Sequence, residues 1–199
     1  MLEELKKKVA DVANRLASEE LVRGASGNVS TRDEETGLVV ITPTKAALGS
    51  VTPDILCVVD MDGNVLEGGK PSSSTKFHLK IMKNRPEIKA VVHTHSPYAT
   101  AFSVANEAIP VINIEVSSKI RGDIKVSPYA QNGSDIEAEN ITATLGKANA
   151  VLMQNHGAVA VAEDLDKALL NSFIVEEAAK MYSIVRSMGS TATTIEPKK

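Results

Sequence analysis

The stretch Ala90-Val91-Val92-His93-Thr94-His95-Ser96-Pro97 decides how the rest of the chain is read. A β-branched run feeds two histidines at a spacing of two. In an extended strand, residues i and i+2 face the same side of a sheet, so the two imidazoles converge. Imidazole is the commonest protein metal ligand. Pro97 ends the strand or opens the next helix. A second hydrophobic run, Ala150-Val151-Leu152-Met153-Gln154-Asn155-His156-Gly157, also ends in a histidine. Two such strand ends meeting at one edge of the core would build a cup of three imidazoles with an open fourth position, the arrangement of a catalytic zinc site. An isolated HxH pair is a weak signal and reads more readily as two polar residues satisfied locally at a strand end. The chain has 4 histidines, and three of them close hydrophobic runs, which favours metal.

Outward from residues 88–95, read as the central strand, elements of both kinds alternate irregularly. Leu2, Leu5, Val9, Val12, Ala13, Leu16 and Leu21 recur at three and four, so residues 2–22 read as an amphipathic helix. Hairpins follow, with strands at 29–32, 38–42, 55–59 and 65–67. A helix is expected over 74–84, with Ser72 or Ser73 as its cap, and an Ala-rich helix over 97–105. Strands are expected at 111–116, 124–126, 150–154 and 158–162, and helices at 135–145 and from Asp164 to Met188. The sum is a layered α/β domain with an antiparallel-rich sheet and helices on its faces. It is read as a single domain over residues 1–188 followed by a flexible tail, 189–199.

Composition narrows the function. A chain of 199 residues, 43% hydrophobic, can bury a real core as one domain. A net charge of -3, no long basic tract and an aromatic share of 3% speak against nucleic acid as a partner. No apolar run reaches membrane-spanning length, and the charged N-terminus does not resemble a signal peptide. The single Cys57 leaves no internal disulfide and fits a cytoplasmic protein. Neither a GxGxxG nor a GxxxxGK[ST] motif is present, so dinucleotide folds and P-loops are unsupported.

Three polar loops remain: Gly27-Asn28, Thr42-Pro43-Thr44-Lys45 and Ser72-Ser73-Ser74. Backbone N–H groups at a helix start, serine hydroxyls and a lysine ammonium together suit a small phosphate monoester. Each loop alone reads as a turn or a cap. His78, on a partly apolar helix face, reads as a packed or capping residue. Tyr129 lies in a loop, as a proton donor or a packed aromatic. Glu115, Lys119, Arg121 and Asp123 form a polar stretch, as a pocket rim or a solvated surface.

At these residues the chain resembles the class II aldolase/adducin family from about Leu5 to Met188. The resemblance rests on Gly27-Asn28-Val29-Ser30, Ile41-Thr42-Pro43-Thr44, Lys70-Pro71-Ser72-Ser73, Val92-His93-Thr94-His95 and Asn155-His156-Gly157, in order, followed by Glu176-Glu177. It implies a three-layer α/β/α domain around a mainly antiparallel sheet. It implies that His93, His95 and His156 bind zinc, with manganese or cobalt as substitutes. Asn28, Thr44, Ser72 and Ser73, with Gly27 and Lys45 beside them, would hold a substrate phosphate, and Asn28 would also lie near an enediolate oxygen. It implies a homotetramer with active sites at subunit interfaces. The expected reaction is aldol cleavage of a small ketose phosphate to dihydroxyacetone phosphate and an aldehyde. The alternatives are a 4-epimerase or dehydratase of the same family, or an impaired, engineered or non-catalytic adducin-like member. Two departures from the family pattern stand out. Ser74 occupies the place of the usual acidic residue, where a hydroxyl is a poor base at neutral pH. Lys45 stands where a glycine is usual, either strengthening phosphate binding or reshaping the pocket. Catalytic roles are assigned to Ser74, to Tyr129 as acid for the leaving alkoxide, and to Glu115 as a substitute acid.

Overall fold

The computed structural model describes residues 2–198. Its strands are β1 (Gly27–Arg32), β2 (Val39–Ile41), β3 (Cys57–Val59), β4 (Val65–Glu67), β5 (Ala90–Thr94), β6 (Val126–Ser127), β7 (Ala150–Met153) and β8 (Gly157–Ala162). Its helices are α1 (Leu2–Ser18), α2 (Thr75–Asn84), α3 (Pro97–Ala105), α4 (Asp135–Leu145) and α5 (Leu165–Ser187). The strands form one sheet in the order β4-β3-β2-β1-β5-β8-β7-β6. Every pairing is antiparallel except the parallel contact of β6 with β7.

The period-two alternation of β5 sorts the core. Val92 belongs to the cluster under α1 and the start of α5, with Val9, Val12, Leu16, Val29, Val40 and Leu165. Val91 belongs to the opposite cluster, with Phe77 and Ile81 of α2 and Ile141 and Leu145 of α4. Helices therefore cover both faces, and the fold is the three-layer α/β/α domain. His93 shares parity with Val91, so it faces the α2/α4 layer. Apolar burial of this extent, about 25 cal/mol per Å² removed from water, is the main stabilising term. No helix among the described residues is long and apolar enough to cross a membrane.

The structure corrects several expected elements. Helix α1 ends at Ser18. Leu21 and Val22 still look periodic because the chain turns back, with both amides donating to the Leu16 carbonyl. The strand expected at 111–116 does not form. The Val111 amide donates to Asp123 Oδ1 and its carbonyl accepts from Ile195, so no neighbouring strand satisfies them. Asn113 Oδ1 caps Val116 N at 2.8 Å, and a π-helical turn, Val116–Ile120, follows. Ile124 sits in an isolated bridge to Ile109 rather than in a longer strand. Ser74, not Ser72 or Ser73, takes the N-cap position of α2, without a side-chain cap bond. Ser72 acts one step earlier, its Oγ accepting from Ser74 N at 3.2 Å. The segment after Gly189, read from the sequence as a flexible tail, lacks regular secondary structure. Ile195 N nevertheless donates to Val111 O at 2.9 Å, Lys198 N to Ser117 O at 3.1 Å, and Ser117 Oγ to Glu196 O at 2.8 Å.

Candidate active site

His93 is the fourth residue of β5, and His95 follows the strand by one residue. His156 sits in the tight turn joining β7 to β8, where Met153 pairs with Gly157 and the His156 amide donates to Met153 O at 3.0 Å. Asn155 adopts the left-handed conformation in that turn, φ 58°. Gly157 lets the turn lie against β5. A Cβ there would stand 2.3 Å from Thr94 O, 3.2 Å from His95 Cδ2 and 3.3 Å from His93 Cε1. With that contact allowed, the three ring centroids are 4.8 Å apart pairwise, and the candidate ligand atoms all lie within 4.8 Å of one another.

The donor set fits a divalent ion. His93 Nδ1–H donates to the Ala158 carbonyl at 2.9 Å, which fixes the tautomer and leaves the Nε2 lone pair free. That Nε2 stands 3.1 Å from Nε2 of His95. Burial holds all three imidazoles neutral at pH 7. It pushes His156 down to about 4, lowers His95, and takes His93 well below the usual range, with the neighbouring histidines adding to the effect on His93. Three neutral nitrogens facing one point in a partly buried cup are what a divalent ion requires. Glu176 of α5 braces the arrangement, its carboxylate accepting from Tyr98 N at 2.9 Å and Ala99 N at 2.8 Å in the turn that follows His95.

Across the β1–β5 pairing, Asn28 is the direct partner of His93. The polar loops meet beside it. Val29 N donates to Thr42 Oγ1 at 3.2 Å, Ser72 N to Thr42 O at 3.1 Å, and Thr44 N to Lys70 O at 3.0 Å. Asn28 Nδ2 donates to Ser74 Oγ at 3.0 Å. Gly27 is needed for this approach, with φ 132° and a hypothetical Cβ 2.8 Å from His93 O. Ser72 and Ser73 line a cleft of about 700 Å³ together with Lys70 and Gly133. Lys45 is exposed and left-handed, φ 62°, the physical reason a glycine suits this place.

The assigned catalytic residues are placed unevenly. Ser74 is buried at the Asn28 amide. Tyr129 is exposed but lines a cavity of about 250 Å³ with His156, Gln154 and Asn132. Glu115 is exposed at the turn before the π-helical segment and does not line that cavity. The sequence reading missed Glu137, a buried carboxylate lining the same cavity. Its Oε1 is 3.8 Å from His156 Nδ1, its Oε2 accepts from Gly133 N at 2.7 Å, and burial raises its pKa. The local signal, Ser134-x-x-Glu137, reads only as a helix start, and Ser134 Oγ does accept from Glu137 N at 3.0 Å. His78 is packed, as expected, yet it is also hydrogen-bonded through both ring nitrogens.

A three-layer α/β/α domain with a three-imidazole cup beside hydroxyl- and amide-bearing loops defines a candidate metal-dependent enzyme acting on a small polar substrate. The chain belongs to the class II aldolase and adducin family, since the family described as Class II Aldolase and Adducin N-terminal domain matches residues 7–183. An L-fuculose phosphate aldolase of Methanococcus maripaludis is 34% identical over 177 residues, 89% of this chain and 95% of the relative. An L-ribulose-5-phosphate 4-epimerase of Salmonella paratyphi C is 36% identical, covering 98% of this chain and 91% of its own. A 3-oxo-tetronate 4-phosphate decarboxylase of Haemophilus influenzae is 39% identical over 80% of this chain and 77% of its own. Among solved structures, an L-fuculose 1-phosphate aldolase superposes with a TM-score of 0.92 at 30% identity, covering 96% of this chain and 90% of that one. The chain is thus an enzyme of a superfamily whose members bear the names of more than one reaction.

Proposed function

We propose that the protein is a metal-dependent lyase that cleaves a small ketose phosphate to dihydroxyacetone phosphate and an aldehyde through an enediolate. The observation that carries this reading is the meeting of the histidine cup with the polar loops across one strand pair, Asn28 opposite His93. His93, His95 and His156 would hold the ion, zinc by preference. When bound, a divalent ion supplies Lewis acidity toward a carbonyl oxygen. The chain's own groups do the rest. Ser72, Ser73 and Thr44 offer hydroxyl and backbone donors to the phosphate, and Lys45 adds charge. The Asn28 amide offers a donor to the oxygen that gains charge. Tyr129 lines the smaller cavity, where a phenol can protonate a leaving alkoxide. Exposed Tyr129, Ile136 and Ile114 support assembly as a homotetramer with the sites completed at interfaces. The reading places the enzyme in the cytoplasm.

The second reading is a 4-epimerase, dehydratase or decarboxylase of a similar substrate. It is favoured by Ser74, which supplies no carboxylate, and by relatives of comparable identity with other reaction names. A product screen on pentulose and hexulose phosphates with the metal-loaded protein separates the readings. Release of dihydroxyacetone phosphate is the expected result. An epimer, loss of water or release of carbon dioxide without it overturns the lyase assignment. Ser74→Glu sharpens the result. A large rate gain assigns the limiting step to the absent carboxylate, and an unchanged rate assigns the proton transfer to another group.

A further inference from the structure

Behind Asn28 lies a chain of four buried polar side chains: Ser30, His78, Asn28 and Ser74. Ser30 Oγ is 2.6 Å from His78 Nδ1, His78 Nε2 is 2.5 Å from Asn28 Oδ1, and Asn28 Nδ2 is 3.0 Å from Ser74 Oγ. The chain has a direction. Ser30 is fully buried on β1, and among the described residues its hydroxyl has no other side-chain partner than His78. Its proton therefore goes to Nδ1. The imidazole proton must then be on Nε2, where it meets an amide oxygen that only accepts. The amide oxygen is taken up by His78, so the Asn28 NH₂ faces Ser74. Reversing the order would strand the Ser30 hydroxyl proton on a side chain with no exposure, whereas this order leaves its spare protons at the other end, on Asn28 and Ser74, which keep 6% and 3% exposure. Burial also pushes His78 down to about 3, so the ring stays neutral and a single tautomer suffices.

Two donors result at the end of the chain. The second N–H of the Asn28 amide is not used by Ser74. The Ser74 hydroxyl already accepts from Asn28, and its own proton has no acceptor among the described residues. We propose that Ser30 and His78 are positioning residues that set the Asn28 amide and the Ser74 hydroxyl as a pair of hydrogen-bond donors for the oxygen of the substrate on which negative charge develops. This rests on the reading that the substrate lies between Asn28 and the histidine cup. It gives Ser74 a role that a carboxylate at this place could not fill, since an ionised carboxylate only accepts. Donors fixed before the reaction cost no reorganisation during it.

The test has one readout without metal or substrate and one with a probe anion. In the metal-free full chain, two-dimensional ¹⁵N–¹H spectra at neutral pH should show His78 as the neutral Nε2–H tautomer. An Nδ1–H tautomer or an imidazolium overturns the proposal. The probe is oxalate, a planar dioxygen stand-in for an enediolate edge, titrated into zinc-loaded protein beside inorganic phosphate. His78→Leu should bind oxalate roughly tenfold more weakly, about 1.4 kcal/mol, with phosphate affinity unchanged. His78→Gln, whose amide nitrogen can replace Nε2–H, should restore most of it. Should His78→Leu fail to fold, Ser74→Ala carries the comparison, with weaker oxalate binding and unchanged phosphate binding expected. Equal oxalate affinity in wild type and variants overturns the proposal while leaving the lyase reading standing. Failure of zinc-loaded wild type to bind oxalate at all overturns both.

Discussion

The two halves of the candidate site are built by different means. On the β5/β8 side, the backbone does the placing. Strand register sets His93 against Val159, and Gly157 lets the His156 turn lie against Thr94. On the β1/β2/α2 side, side chains do it. Side-chain hydrogen bonds link Ser30, His78, Asn28 and Ser74, while Thr42 and Ser72 bond neighbouring backbone amides, and β1, which carries Asn28 opposite His93 and Ser30 opposite Val91, ties the network to the sheet. The contrast teaches that the histidine half should fail through sterics or loss of a ligand. The polar half should fail through unsatisfied hydrogen bonds.

The largest expected effect is on the histidine half. His93→Ala would remove one of the three proposed ligands, so zinc affinity should fall by more than the roughly 10–100-fold that loss of an outer-shell partner costs. Competition against a chromophoric chelator measures it. Gly157→Ala comes next. Its methyl meets the Thr94 carbonyl, a backbone atom that cannot swing aside. A stability loss of about 1–3 kcal/mol is expected, together with weaker zinc binding. If denaturant unfolding and metal titration leave both unchanged, the account of the turn is wrong.

Acid tests the polar half. His78 titrates near 3 when folded and near 6.5 when unfolded. The unfolded state therefore binds more protons in between, and this contribution to stability is complete above about pH 6.5 and lost as pH falls toward 3. The slope approaches about 1.4 kcal/mol per pH unit well inside that window. Urea unfolding at pH 7, 6 and 5 should show the decline in metal-free protein. His93, His95 and His156, also held low by burial, add slopes of the same sign, so His78→Gln should make the total decline shallower by the His78 share without abolishing it. The smallest effect is at Lys45. Lys45→Gly relieves a left-handed backbone that costs an L-residue about 1–2 kcal/mol, offset by the greater entropy of glycine in the unfolded chain. A net gain below about 1 kcal/mol in thermal unfolding is expected, with weaker binding of inorganic phosphate from loss of the ammonium.

The same contrast explains what could be read from the sequence. His93, His95 and His156 were legible because two-residue spacing and strand-end position convert directly into convergence, and β-branched runs marked their strands. Helices α2, α3 and α4 fall on or within one residue of the ranges expected for them, 74–84, 97–105 and 135–145. The polar half was legible only as separate loops. Nothing local joins Ser30 to His78 or Asn28 to Ser74, 46 residues apart, until α2 packs on the sheet. Glu137 was hidden the same way, because its spacing from Ser134 is that of an ordinary helix start. Residues 111–116 misled because an apolar β-branched run also suits a segment whose backbone is satisfied by side chains and by the C-terminal stretch.

The most direct test is metal analysis of the purified protein combined with X-ray absorption at the metal edge. The account predicts one divalent ion per chain, bound by three imidazole nitrogens at about 2.0–2.1 Å, and its loss in His156→Ala. A chain that takes up no ion, or an ion whose shell lacks imidazole, would contradict it.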